Sequence, residues 1–130
     1  MSTPILALRA ALRTILANGG LTIVDEARDT AMPYASFGEA SVRIWNDGVT
    51  NMAEHKLAIH IWSRAPGDAE ALDLAGQIAR LIETAPRSRG DLPLVNWTIT
   101  AHEMRRPSRE GVRQATLKLS AMTEHQRGEA

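Results

Sequence analysis

The chain has 130 residues, 15 Lys and Arg, 15 Asp and Glu, and no cysteine. That length fits one domain with a core large enough to need no staple. The missing Cys excludes disulfides, thiolate metal sites and a Cys nucleophile. A formal charge of zero excludes a protein held on nucleic acid or a membrane by bulk charge.

Thr3-Pro4 reads as a helix start, because Thr caps and Pro suits the first helical position. Ile5, Leu8, Leu12, Ile15 and Leu16 then recur at helical spacing, and Asn18-Gly19-Gly20 stops the run. A first helix is therefore expected at about 4–17. The apolar stretch is too short to span a bilayer and has no basic region before it, so it reads as part of the fold and not as an anchor or signal. Leu21 to Val24 reads as a short edge strand, and the polar run after it as a loop. An extended segment follows from Tyr34 to Trp45. Its alternation changes phase, with Ala35 and Phe37 on odd positions and Val42 and Ile44 on even ones, so a bulge is expected at Gly38.

Asn46-Asp47-Gly48 is turn chemistry. His55 to Ser63 alternates, with Leu57, Ile59 and Ile61 on one face and Lys56, Ala58, His60 and Trp62 on the other. The two runs form a hairpin with its tip in 46–53. Ala65-Pro66-Gly67 breaks the strand and Asp68 is the expected cap of a second helix over 69–84, ended by Pro86. Its Ala71, Ala75 and Ala79 make a line of small residues for close packing. Leu94 to Met104 alternates again, with Val95, Trp97, Ile99 and Ala101 on one face. A charged loop, 105–111, leads to a last strand over 112–122 carrying Ala115, Leu117, Leu119 and Ala121 on one face.

Helix, hairpin, helix, hairpin gives an α+β fold: a two-layer sandwich, with a mainly antiparallel sheet of about four strands covered by two helices. Residues 1–123 form one domain and 124–130 a polar tail.

The search for chemistry finds no catalytic pattern. His55 and His60 lie on opposite faces of one strand and cannot share a metal. His102-Glu103 begins like a zinc-protease motif, but Arg106 stands where the second His belongs and the context is a strand. Neither a G-x-S-x-G elbow nor a P-loop occurs. No catalytic residue, metal site or cofactor is expected.

Two surface features carry more. Trp97 lies on the apolar parity of its strand and belongs to the core. Trp62 shares a polar face with His60, and Trp45 shares one with Ser41 and Arg43. Aromatics so placed mark a protein interface, or else lie under a covering loop or tail. The run Arg105-Arg106-Pro107-Ser108-Arg109 meets an acidic partner or phosphate, or else is a solvated hairpin tip. Trp45, Trp62, His60, Arg105, Arg106 and Arg109 are thus the expected interface residues.

Pro33-Tyr34-Ala35-Ser36-Phe37-Gly38-Glu39, then Trp45, then His60-Ile61-Trp62-Ser63-Arg64, then Ala69-Glu70-Ala71-Leu72, occur in an order and spacing that resemble the tail terminator (tail-completion) proteins of long-tailed phages. The versions of gene transfer agents are the most similar. The resemblance implies a structural virion protein and no enzyme. It implies a homo-oligomeric ring, typically of six subunits, at the head-proximal end of the tail tube. Such a ring ends tube polymerisation, contacts the major tail tube protein and joins the head-side connector, with DNA passing through the lumen and no membrane involved. It is made in the bacterial cytoplasm and resides at the head–tail junction. The alternative from the residues is a small-molecule-binding or enzymatic α+β domain, acting as a dimer. The fold alone does not separate the two.

Overall fold

The computed structural model describes residues 4–25, 32–46, 51–85, 94–105 and 111–124. The chain runs α1 (Pro4–Asn18), β1 (Ile23–Val24), β2 (Tyr34–Asn46), β3 (Asn51–Ser63), α2 (Ala69–Thr84), β4 (Leu94–Arg105) and β5 (Arg113–Glu124). One five-stranded sheet has the order β1-β2-β3-β5-β4. Every pairing is antiparallel except β1 with β2. This is the expected α+β sandwich, with the Leu21–Val24 segment contributing the fifth, edge strand. The second hairpin folds back so that β5, not β4, lies beside β3.

Helix α1 ends in a Schellman turn. The Leu21 N–H reaches the Leu16 carbonyl and the Gly20 N–H the Ala17 carbonyl, with Gly20 in the left-handed region at φ 80°. The glycine before it has a different reason. A Cβ on Gly19 would run into the Leu81 side chain, so Gly19 lets the end of α1 meet α2. In α2, the expected line of Ala71, Ala75 and Ala79 is buried, together with Ile78 and Ile82. These pack with Leu8, Leu12 and Leu16 of α1 onto Ile59, Ile61, Leu117 and Leu119 of the sheet. Asp68 stands at the N-cap position but its side chain makes no capping bond; it pairs instead with Arg113 at 3.2 Å. Thr3, Val95's side chain and the loop 86–93 lie outside the described residues.

The phase change in β2 is a register shift between Phe37 and Ala40, as the alternation predicts. Gly38 is needed there because a Cβ would collide with the His60 ring. Strand β4 departs from expectation. A second register shift, between Ile99 and Ala101, turns its last residues over. Ala101 is therefore opposite Lys118 on the outer face, not beside Trp97, while Met104 packs against the core. Met32-Pro33, ahead of β2, is a cis peptide.

Helix-facing positions of β2 beyond the bulge also depart from expectation. Val42 and Ile44 face the helix side, aligned with His55 and Ala53, yet they are 46% and 52% exposed. Their neighbours in those rows on β3 and β5, Ala53, His55, Ala121 and Thr123, are buried, whereas this stretch of β2, which has no partner strand beyond it among the described strands, is not.

Candidate functional site

The sheet has one face under the helices and one face open. Pairing register builds the open face row by row. At one end Tyr34, Trp62, Gln114 and Arg105 stand side by side across β2, β3, β5 and β4. The next row is Ser36, His60, Thr116 and Glu103.

These two rows form a tight cluster. Tyr34 stacks on Trp62 with ring centroids 6.3 Å apart, and His60 meets Trp62 edge-on at 6.1 Å. The Trp62 indole N–H donates to the Ser36 hydroxyl at 3.0 Å. His60 Nδ1 lies 2.9 Å from the Thr116 hydroxyl. The large rings roof the small polar groups, so Ser36, Thr116 and Gln114 are buried although no helix lies over them. Burial pushes the His60 imidazole below its ordinary value; nearby Arg105 adds to that and Glu39 opposes it. Trp62 and His60 themselves remain half-buried, and Arg105 is exposed beside them.

Trp45 is elsewhere. It is paired with Met52 at the opposite end of the same face, with Arg43 over its ring at 5.1 Å. Ten residues of β3 separate the Trp62 and Met52 rows, roughly 33 Å along an extended strand. The structure thus brings together Trp62, His60 and Arg105 and sets Trp45 apart. Arg106 and Arg109 lie outside the described residues. Tyr34, Ser36, Thr116 and Gln114 are the members of the cluster that sequence reasoning missed. Their chain positions give no sign of it, because only the register across three strands makes them neighbours.

Between the two ends the open face holds a shallow groove of about 760 Å³, lined among others by Glu39, Glu54, Lys56 and Lys118. Its charges answer one another. Lys118 pairs with Glu103 at 3.2 Å, and Ser120 donates to Glu54 at 3.3 Å. No group of three or more His, Asp or Glu positioned to hold a metal occurs among the described residues.

The two histidines of β3 point to opposite faces, as their spacing requires. His55 is buried on the helix side of the sheet, 2.9 Å from the Thr123 hydroxyl through Nε2. Its Nδ1 has no partner, and burial pushes the imidazole below its ordinary value. No described helix is long and apolar enough to cross a membrane.

The remaining ion pairs hold the frame. Arg9 and Arg13 of α1 both reach Asp25 beyond β1, and both guanidinium groups lie over the Phe37 ring at 4.4 and 5.3 Å. Ser63 donates to Glu70 at 2.7 Å and accepts from the Ala65 N–H, which ties the end of β3 to the start of α2.

Strands β2 and β4 end at opposite ends of the sheet, at Asn46 and Arg105; residues 47–50 and 106–110, in the two loops expected from sequence, lie outside the described residues. Comparison with curated protein sequences gave no match. Among solved structures, a chain from the virion of a native gene transfer agent particle is similar, with a TM-score of 0.63 at 23% identity over 85% of this chain and 84% of that one. At that identity the likeness speaks to the fold. The sequence comparison goes further: residues 5–124 match the family of tail completion protein gp17, so the chain belongs to that family and is a structural protein of a phage-type virion tail.

Proposed function

We propose that this protein assembles as a ring of six copies at the head-proximal end of a tail tube, where it ends tube polymerisation and joins the tail to the head-side connector. Membership of the tail completion family is the observation that carries the reading. The placement of the two hairpins supports it. A subunit wedged between a tube and a connector needs contact surfaces at two opposite ends, and β2 and β4 end at opposite ends of the sheet, at Asn46 and Arg105. Trp45 serves one end, and Trp62, His60 and Arg105 the other; Arg106 and Arg109, which follow Arg105 in the chain, are assigned to the second. Half-buried aromatics beside an exposed Arg are the residue types that anchor protein contacts. One end meets the major tail tube protein and the other the connector.

DNA passes through the lumen without being held. The balance of 15 basic and 15 acidic residues suits that task, since a strongly basic lining would retain the polymer. The protein acts by position and makes or breaks no bond. Two measurements test the reading. Particles lacking the protein are expected to carry tails of uncontrolled length that detach from heads, seen by electron microscopy. Purified protein that turns over a metabolite, or deletion particles with normal, firmly joined tails, would overturn it.

A further inference from the structure

Four large apolar side chains are exposed among the described residues: Leu6, Val42, Ile44 and Leu72. Val42 and Ile44 form a strip on β2. β1 pairs with β2 only at Ala35 and Ser36, so the stretch carrying the strip lies at the sheet edge among the described strands. A long, regular, apolar edge is an aggregation hazard in a free monomer and is normally blunted or covered.

Leu72 lies on the other side of the subunit. Gly19 of α1 abuts Leu81, which marks the flank of α2 that meets α1. Leu72 is nine residues earlier, and at about 100° per residue it stands about 180° round the helix, on the flank away from α1. α1 contacts β1, whereas α2 lies over β3, β5 and β4. The free flank of α2 is therefore on the β4 side, and the bare strip of β2 on the opposite side.

Gly76 stands one turn from Leu72 on that flank. It is exposed, it sits in mid-helix, and a Cβ added there would meet nothing within 4 Å. Nothing among the described residues asks for glycine, and in a helix interior it is less stable than alanine. A glycine there, beside an exposed leucine, leaves room for a neighbouring molecule to approach the backbone.

We propose that the occupant is a second copy of this chain: Val42 and Ile44 of one subunit seat on the Leu72–Gly76 flank of α2 in the next. The two patches differ and lie on opposite sides, which is what a head-to-tail contact closing into a ring requires. Arg43, between the two in the chain, points to the opposite face over Trp45, so the strip itself is apolar.

This contact rests on the ring reading above, and the test separates the two. The chain has no cysteine, so Ile44→Cys with Leu72→Cys introduces the only thiols. Under oxidation the double variant is expected to give a ladder of covalent multimers ending at the ring size, and each single variant none. Gly76→Ala is expected to raise Tm by roughly 3–5 °C. Gly76→Arg is expected to fold and yet lose assembly at least tenfold by light scattering. Wild-type rings with no ladder, a ladder that stops at the dimer, or Gly76→Arg rings equal to wild type would overturn this contact and leave the ring standing. Wild-type protein that never exceeds a dimer, alone or on tail tubes, would overturn both.

Discussion

The three tryptophans show how much one residue type depends on its surroundings. Trp97 is 5% exposed in the core, with its indole N–H unpartnered. Trp97→Ala is expected to lower stability by about 3–5 kcal/mol, read from denaturant unfolding. Trp62 lies on the open face and is held by Ser36, Tyr34 and His60. Trp62→Ala is expected to cost less, about 1–2 kcal/mol, because one hydrogen bond and partial burial are lost. Its larger effect falls on assembly, since the roof over Ser36 and Thr116 is also the proposed contact surface. Equal stability losses in the two variants would contradict this division of roles.

The histidines give a pH signature at the same scale. Burial lowers the imidazole pKa of both His55 and His60 in the folded state. The unfolded chain then binds more protons than the folded one as pH falls below about 6.5. Stability is therefore full above that pH and declines as pH drops toward the lowered folded values. Unfolding free energy measured at pH 7 and pH 5 is expected to fall with acid, and less steeply in His55→Leu than in wild type. An unchanged slope in that variant would remove His55 as a source.

Among the elements, the outcome turns on bulges and on which strands the helices cover. Gly38 combines the bulge of β2 with the close approach of the His60 ring. Gly38→Ala is expected to cost about 1–3 kcal/mol through overpacking and to dislodge His60 from Thr116, visible as a changed His60 titration by NMR. The bare strip on β2 has a lateral cause: β3 has the same 13 residues and is buried at Ala53 and His55, whereas α2 lies over β3, β5 and β4, and Val42 and Ile44 stand at the uncovered side of the sheet. The ion pairs of Arg9 and Arg13 with Asp25 are partly solvated and add little stability. They orient α1 over Phe37.

At the scale of the whole molecule, the subunit has polarity in two directions. Along the strands, the aromatic cluster lies at one end and Trp45 at the other. Across the strands, the Val42–Ile44 strip lies on one side and the free flank of α2 on the other. The first direction suits stacking between tube and connector, the second repetition around a ring. Val42→Asp with Ile44→Asp is expected to leave Tm within a few degrees of wild type, because both sites are solvated in the monomer, and to abolish rings in light scattering. Loss of folding in that variant would show that the strip is covered within the chain.

Both described helices and nearly every described strand were legible along the chain, because periodicity and helix stops are local properties. Pro4–Asn18 and Ala69–Thr84 follow from apolar spacing and from the glycine or proline after them, and the β2 bulge follows from a change of phase at Gly38. The family was also legible, in short motifs spread along the chain. Tertiary structure alone decided the rest. The insertion of β5 beside β3 is a long-range choice that no local pattern encodes. The same register makes Tyr34, Ser36, Trp62 and Gln114 neighbours. The Ile99–Ala101 shift in β4 left a single sign, Met104 on the even parity, which Ala101 obscured because Ala fits either face. Exposure of Val42 and Ile44 depends on where the helix layer ends over the sheet, a relation between elements distant in the chain.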